Sequence, residues 1–175
     1  MRTAVNIITH FVGLLSLRNK PQNLTYSMHI FALLFLLLVF ILKLTLQNFV
    51  PQLKETGSVI PIFIIIYEGF FLAILFFMLT KAGKKNRFVQ SACNFLGVNI
   101  ISCIITSIIN FLPFQLLFIC LVKSWLLIIN LHITKHAFAV DFIRAIYTYL
   151  FMNAIALLAI ILPFIIFMPV HKIAH

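Results

Sequence analysis

Residues 59–80 read VIPIFIIIYEGFFLAILFFMLT, an apolar run of bilayer-spanning length with one carboxylate, Glu68, close to its middle. The run predicts a transmembrane helix, since about 20 consecutive apolar residues at helical rise cross the hydrocarbon core of a bilayer. A charged side chain at the bilayer centre costs about 2.5 to 3.5 kcal/mol on insertion scales, so Glu68 calls for a partner or a polar cavity. The other apolar runs carry formal charge only at Lys43 and Lys123. Which lysine meets Glu68 is therefore the first question the chain poses.

Composition places the whole chain in the same class. Hydrophobic residues make up 63% and charged residues 9% of its 175 positions, whereas soluble domains are about one quarter charged. That length accommodates about five spans of roughly 20 residues and leaves no segment for a separate soluble domain. The expected fold is all-α: a polytopic transmembrane helical bundle of five spans, at about 28–48, 59–80, 89–112, 114–131 and 145–170. A cytoplasmic amphipathic helix and linker over 1–27 precede it, and an outer tail over 171–175 follows.

The formal charge of +10 would suggest nucleic acid in a soluble protein, but here the cations sit in short loops between apolar runs. Topology control and attraction to anionic lipid headgroups account for them better. The turn KAGKKNRF over 81–88 concentrates Lys81, Lys84, Lys85 and Arg87, the candidate headgroup contacts. With the N-terminus inside, the inner side holds nine Lys and Arg residues and the outer side only Lys54 and Lys172. The positive-inside rule then puts the N-terminus in the cytoplasm and the C-terminus outside. A bacterial inner membrane is the expected location.

Taken in order, Val5, Ile8, Phe11, Val12 and Leu15 fall at helical spacing, opposite Arg2, Asn6, Thr9, His10 and Gly13. They predict an interfacial helix, and neither a signal peptide nor a lipidation box is expected. The linker over 18–27, RNKPQNLTYS, ends in Ser27, a good N-cap for the first span. Lys43 lies about 7.5 Å from the far end of that span, close enough to snorkel. The loop with Pro51, Lys54, Glu55 and Gly57 is a short turn.

The third span differs from the rest. Asn99, Ser102, Thr106 and Asn110 continue a stripe begun by Gln90, Asn94 and Gly97. Polar and small residues at helical spacing inside a span face other helices, which places this helix at the centre of the bundle. Packing is the first reading of the stripe and a solute path the second. Cys93, Cys103 and Cys120 fall inside spans and read as packing residues rather than as a disulfide or zinc framework.

Pro113 marks a hairpin into the fourth span, which holds Lys123, Trp125 and Asn130. The loop over 130–144 carries His132, Lys135, His136, Asp141 and Arg144. In the fifth span Tyr147 and Tyr149 suit the headgroup level, Asn153 lies within, and Pro163 suggests a kink. Glu68 and Lys123 each lie about nine residues into spans that run the same way, about 13 Å deep. An intramembrane contact between them, direct or through water, follows as the expectation. It would serve as a structural ion pair or as a protonatable relay; otherwise both residues face a partner subunit, or Glu68 is carried uncharged.

His132 and His136, at i and i+4, form a weak metal candidate, and His171 and His175 repeat the spacing in the tail. No catalytic residue and no cofactor are expected, for no hydrolase elbow, metalloprotease, phosphate-loop or dinucleotide motif occurs. The plan of an amphipathic cytoplasmic start, five close-packed spans and a short outer tail resembles the Yip family of small five-span membrane proteins and their bacterial relatives. RNKPQNLTYS also resembles an opening found in small proteobacterial inner-membrane proteins. The Asp-Leu-Tyr-Gly type motif of eukaryotic Yip proteins is absent, so small-GTPase binding is not carried over. The reading is a non-enzymatic scaffold or membrane-organising subunit with membrane lipids and a membrane-protein partner or second copy around it. The runner-up is a small transporter or channel subunit that uses Glu68, Lys123 and the stripe.

Overall fold

The computed structural model describes residues 2–17, 27–49, 59–109 and 113–167, and every regular element among them is helical. In chain order these are α1 (Arg2–Leu15), α2 (Met28–Phe49), α3 (Val59–Lys81), a 3₁₀ turn (Lys85–Arg87), α4 (Phe88–Ile109), α5 (Gln115–Phe138) and α6 (Phe142–Phe167). The linker over 18–26, the loop over 50–58, Asn110 and the tail with His171 and His175 lie outside the described residues, as does the side chain of Lys43.

Local chemistry sets the helix ends. Ser27 caps α2, its Oγ accepting from the Ile30 N–H at 3.3 Å, which satisfies one of the amides that a helix start leaves free. At the end of α3 the Gly83 N–H donates to the Thr80 carbonyl and the Lys84 N–H to the Leu79 carbonyl. This Schellman pattern needs a left-handed residue after the cap, and Gly83 supplies it with φ +69°.

Among the described residues, three helices are long and apolar enough to cross a membrane: Lys85–Ile109, Gln115–Phe138 and Phe142–Leu162. The surface around them is hydrophobic as well. Leu33, Leu36, Phe77, Leu116, Ile143 and Leu158 each stand more than half exposed, and a soluble protein would not present such a surface to water. Lipid is the solvent that fits it.

α4 is flanked by α2 and α5, and α6 bridges α5 to α3, which closes back on α2 and α4. Residues 91–98 of α4 are buried without a break, so every face of that segment is covered. The core comprises Leu38 from α2, Leu75 and Leu79 from α3, Leu96 from α4, Ile129 and Ile133 from α5, and Met152 from α6.

Two expectations need correction. α5 continues to Phe138, well past the span limit at 131, so His132, Lys135 and His136 lie on helix rather than in a loop. The connection to α6 shortens to residues 139–141, and α6 begins at Phe142 rather than 145. A helix need not stop where its apolar stretch does, provided its last carbonyls find donors. On α1, His10, Phe11 and Leu14 are buried, whereas Val12 is 61% exposed. In lipid an outward valine is unpenalised, so the inward side of α1 is chosen by fit to its neighbours, α4 and α5.

That fit centres on Gly97. A Cβ there would stand 2.1 Å from the nearest Phe11 ring carbon, far inside contact distance, so the missing side chain is what lets α1 lie down. Gly97→Ala should displace α1 and destabilise the protein by about 1 to 3 kcal/mol. Thermal unfolding in nanodiscs checks it, with partial recovery expected on adding Phe11→Leu.

Candidate functional site

Glu68 sits on α3 with 8% of its surface exposed, facing α4. Its Oε1 accepts from Asn99 Nδ2 at 2.8 Å. One turn along the same face of α4, Ser102 Oγ accepts from Lys123 Nζ at 2.8 Å. In place of a direct ion pair, Glu68 and Lys123 are thus each held by an α4 side chain, three residues apart. The two charges are not equally placed: Glu68 is inside, whereas Lys123 is exposed on the outer surface of α5 and turns only its ammonium inward.

The predicted stripe divides in two. At 100° per residue Asn94 is turned about 140° from Asn99 and about 80° from Ser102, and it serves α1 instead, where His10 Nε2 donates to Asn94 Oδ1 at 3.2 Å. Asn94 Nδ2 closes on the Gln90 carbonyl at 2.8 Å. Thr106 is half-buried one turn beyond Ser102. Among the described residues of the stripe, only Asn99 and Ser102 hydrogen-bond to the charged residues.

Opposite Glu68 the structure assembles groups that sequence reading left scattered. Tyr67, beside it on α3, donates its hydroxyl to Asn153 Oδ1 on α6. Asn153 Nδ2 donates to the Tyr149 carbonyl one turn back, at 2.7 Å. Asn130 on α5 donates through Nδ2 to the Tyr149 hydroxyl at 3.2 Å, and its Oδ1 is buried with no partner. Tyr149 therefore points into the bundle, and only Tyr147, 70% exposed, has the outward position expected of both tyrosines.

These groups surround a cavity of about 100 Å³ lined by Glu68, Asn99, Asn130 and Asn153 together with Tyr67, Tyr149, Phe71 and Phe95. A water needs about 10 to 15 Å³ of such space and two to four polar partners, so the cavity has room for several. Its rings are ordered against one another. Phe71 and Phe95 meet edge to face at 5.2 Å, and Tyr149 stacks on Phe95 at 6.4 Å. The signal for this constellation was in the chain: Tyr149 and Asn153 are i and i+4, hence on one face of α6, and Asn130 is an amide in the apolar interior of α5.

The four cations of the α3–α4 turn also part company. Lys84 Nζ donates to the Phe138 carbonyl, and Arg87 Nη1 to the His136 carbonyl at 2.9 Å, closing the C-terminus of α5. Ala139 there is left-handed, with φ 48°. Lys81 and Lys85 stay exposed and lie over Phe77 and Phe76, each 5.5 Å from the ring centre. His132 and His136 meet edge to face at 4.5 Å, yet no cluster of three or more His, Cys, Asp or Glu side chains forms among the described residues.

Two outcomes follow. Lys84→Met should lower stability by about 1.5 kcal/mol in thermal unfolding, because a charged donor leaves a helix terminus, whereas Lys81→Met should change little. Burial holds the His10 imidazole below its ordinary value of 6.5, with the Asn94 bond acting the other way. The unfolded chain therefore takes up the proton first, so stability should be full above about pH 6.5 and fall as pH drops below it, by up to about 1.4 kcal/mol per pH unit. Unfolding temperatures between pH 5 and 7.5 check this, and His10→Gln should remove that part of the slope. Comparison of the chain with protein-family models, curated proteins and solved structures finds no match.

Proposed function

We propose that this chain is a five-span integral membrane protein that binds a small solute in the cavity at Glu68 and acts as a small transporter or channel subunit. α2 and α3, 22 and 23 residues long, join α4, α5 and α6 as spans. α1, 14 residues long, reaches only about 21 Å at helical rise and lies at the interface. The positive-inside balance favours a cytoplasmic N-terminus and an outer C-terminus, in a bacterial inner membrane. The likeness to the Yip family belongs to this proposal as topology alone.

The observation that carries the reading is the cavity itself. Near the middle of their helices Glu68, Asn99 and Asn153 surround polar space, and in its wall the Asn130 Oδ1 is buried without a partner. A bundle built only to hold itself together gains nothing from this arrangement. A buried unsatisfied acceptor costs about 1 to 3 kcal/mol, and apolar side chains of similar volume often pack as well or better. Binding gives the groups a use. Nothing in the site resembles a nucleophile with its base, so the proposal is non-enzymatic.

One observation favours the scaffold reading. Lys123 is exposed on the outer surface of α5 at a depth where lipid offers it no counter-charge, and a membrane-protein partner or second copy over that face would shelter it. Co-purification of a stoichiometric partner in mild detergent, lost in Lys123→Leu, would support that role. For the transport reading, uptake or proton flux in proteoliposomes should fall at least about tenfold in Glu68→Gln, the loss expected when a charged ligand contact is removed. Flux unchanged by that substitution would refute it.

A further inference from the structure

We infer that a groove between α3 and α6, at the basic end of the bundle, holds one anionic phospholipid, with an acyl chain along α6 and the phosphate between Lys81 and Arg144. The groove has a volume of about 550 Å³ and is lined by Met78 of α3 and by Tyr147, Thr148, Leu150, Phe151 and Ala154 of α6. From Tyr147 to Ala154 it follows α6 for about 10 Å. A spanning partner helix would need a face about 30 Å long, whereas a lipid of one leaflet needs only the part nearest the headgroups. Tyr147, 70% exposed, marks that level, because tyrosines favour the boundary between headgroups and hydrocarbon.

Any lipid tail can fill an apolar groove, so charge decides the headgroup. Lys84 ties the end of α3 to the Phe138 carbonyl, and α6 begins soon after at Phe142, so the C-terminus of α3 and the N-terminus of α6 share one end. Lys81 follows Met78 by one turn, and Arg144 precedes Tyr147 and Thr148 by one turn, which puts both cations at the mouth of the groove. Lys81 is exposed, its ammonium 5.5 Å from the Phe77 ring centre, and no carboxylate pairs with it among the described residues. Arg144 meets Asp141 at 3.5 Å with both side chains mostly exposed, a loose pairing that leaves the guanidinium open to a phosphate. The chain has little negative charge of its own to offer. Glu55, Glu68 and Asp141 are its only carboxylate side chains, and Glu68 is buried. Lys84 and Arg87 are engaged by carbonyls of α5, and Lys85 leans on Phe76, which packs against Phe88 of α4. Lys81 is therefore the cation of that turn which borders the groove.

The test is native mass spectrometry of the full chain purified in detergent and titrated with phosphatidylglycerol, phosphatidylcholine of the same acyl chains, or oleate. One phosphatidylglycerol per chain should be retained, at least about tenfold more tightly than phosphatidylcholine. Lys81→Gln combined with Arg144→Gln should remove that preference. Ala154→Trp, which fills the groove without changing charge, should weaken phosphatidylglycerol binding, and Lys135→Gln, a loss of charge on α5, should leave it alone. Equal binding of the two phospholipids overturns the inference, as does binding that the double substitution does not alter or that Lys135→Gln weakens as much. Oleate bound as tightly as phosphatidylglycerol overturns it too, as does a dimer that persists in excess phosphatidylglycerol and is lost in Ala154→Trp, which would put a second copy in the groove. Should a variant unfold earlier than the wild type in detergent without lipid, the wild-type preference between the two phospholipids decides.

Discussion

A carboxylate held inside a lipid-facing bundle is the constraint around which the other helices are arranged. Glu68 cannot be left to lipid, and its 2.8 Å bond from Asn99 puts α4 against α3 at that height. α6 then supplies Asn153 and Tyr149 and α5 supplies Asn130, so four helices meet over one polar volume. Each of those amides and hydroxyls would be expensive against hydrocarbon. Together they are mostly satisfied, and the exception is a single amide oxygen.

α4 serves two different neighbours from opposite sides. One face receives α1 through Asn94 and the Gly97 hollow, and the other receives Glu68 and Lys123 through Asn99 and Ser102. Its continuous burial over residues 91–98 follows from having partners all round. A helix so placed cannot rotate to serve one neighbour without disturbing the other. The N-terminal helix and the polar cavity are thereby coupled through one element.

Much of this was legible in the chain. The long apolar runs predict the helices, Glu68 announces a polar site, and the stripe from Asn94 onward predicts the central place of α4. The groups that share the cavity with Glu68 were less visible, because Tyr67, Asn130, Tyr149 and Asn153 come from three helices, and periodicity reports a residue's face but not which helix that face meets. Tyr149 reads as a headgroup-level residue from its position near a helix start, and only the packing of α5 against α6 turns it inward. The end of α5 was misplaced for a related reason. Hydropathy tracks where lipid stops, whereas the helix stops where its carbonyls are satisfied, and Lys84 and Arg87 satisfy them from a distant turn. Which side of α1 meets the bundle is not legible in the chain, because burial and lipid exposure favour the same apolar residues.

That pair of cations has a mechanical meaning. Lys84 and Arg87 fasten the α3–α4 turn to the last carbonyls of α5, so three helix ends are clasped together on one side of the bundle. Pulling α5 away there breaks two charge-assisted bonds and uncovers a helix terminus. The clasp stiffens one mouth of the bundle, and breathing motions that reach the polar interior meet less resistance where no such fastening has to be undone.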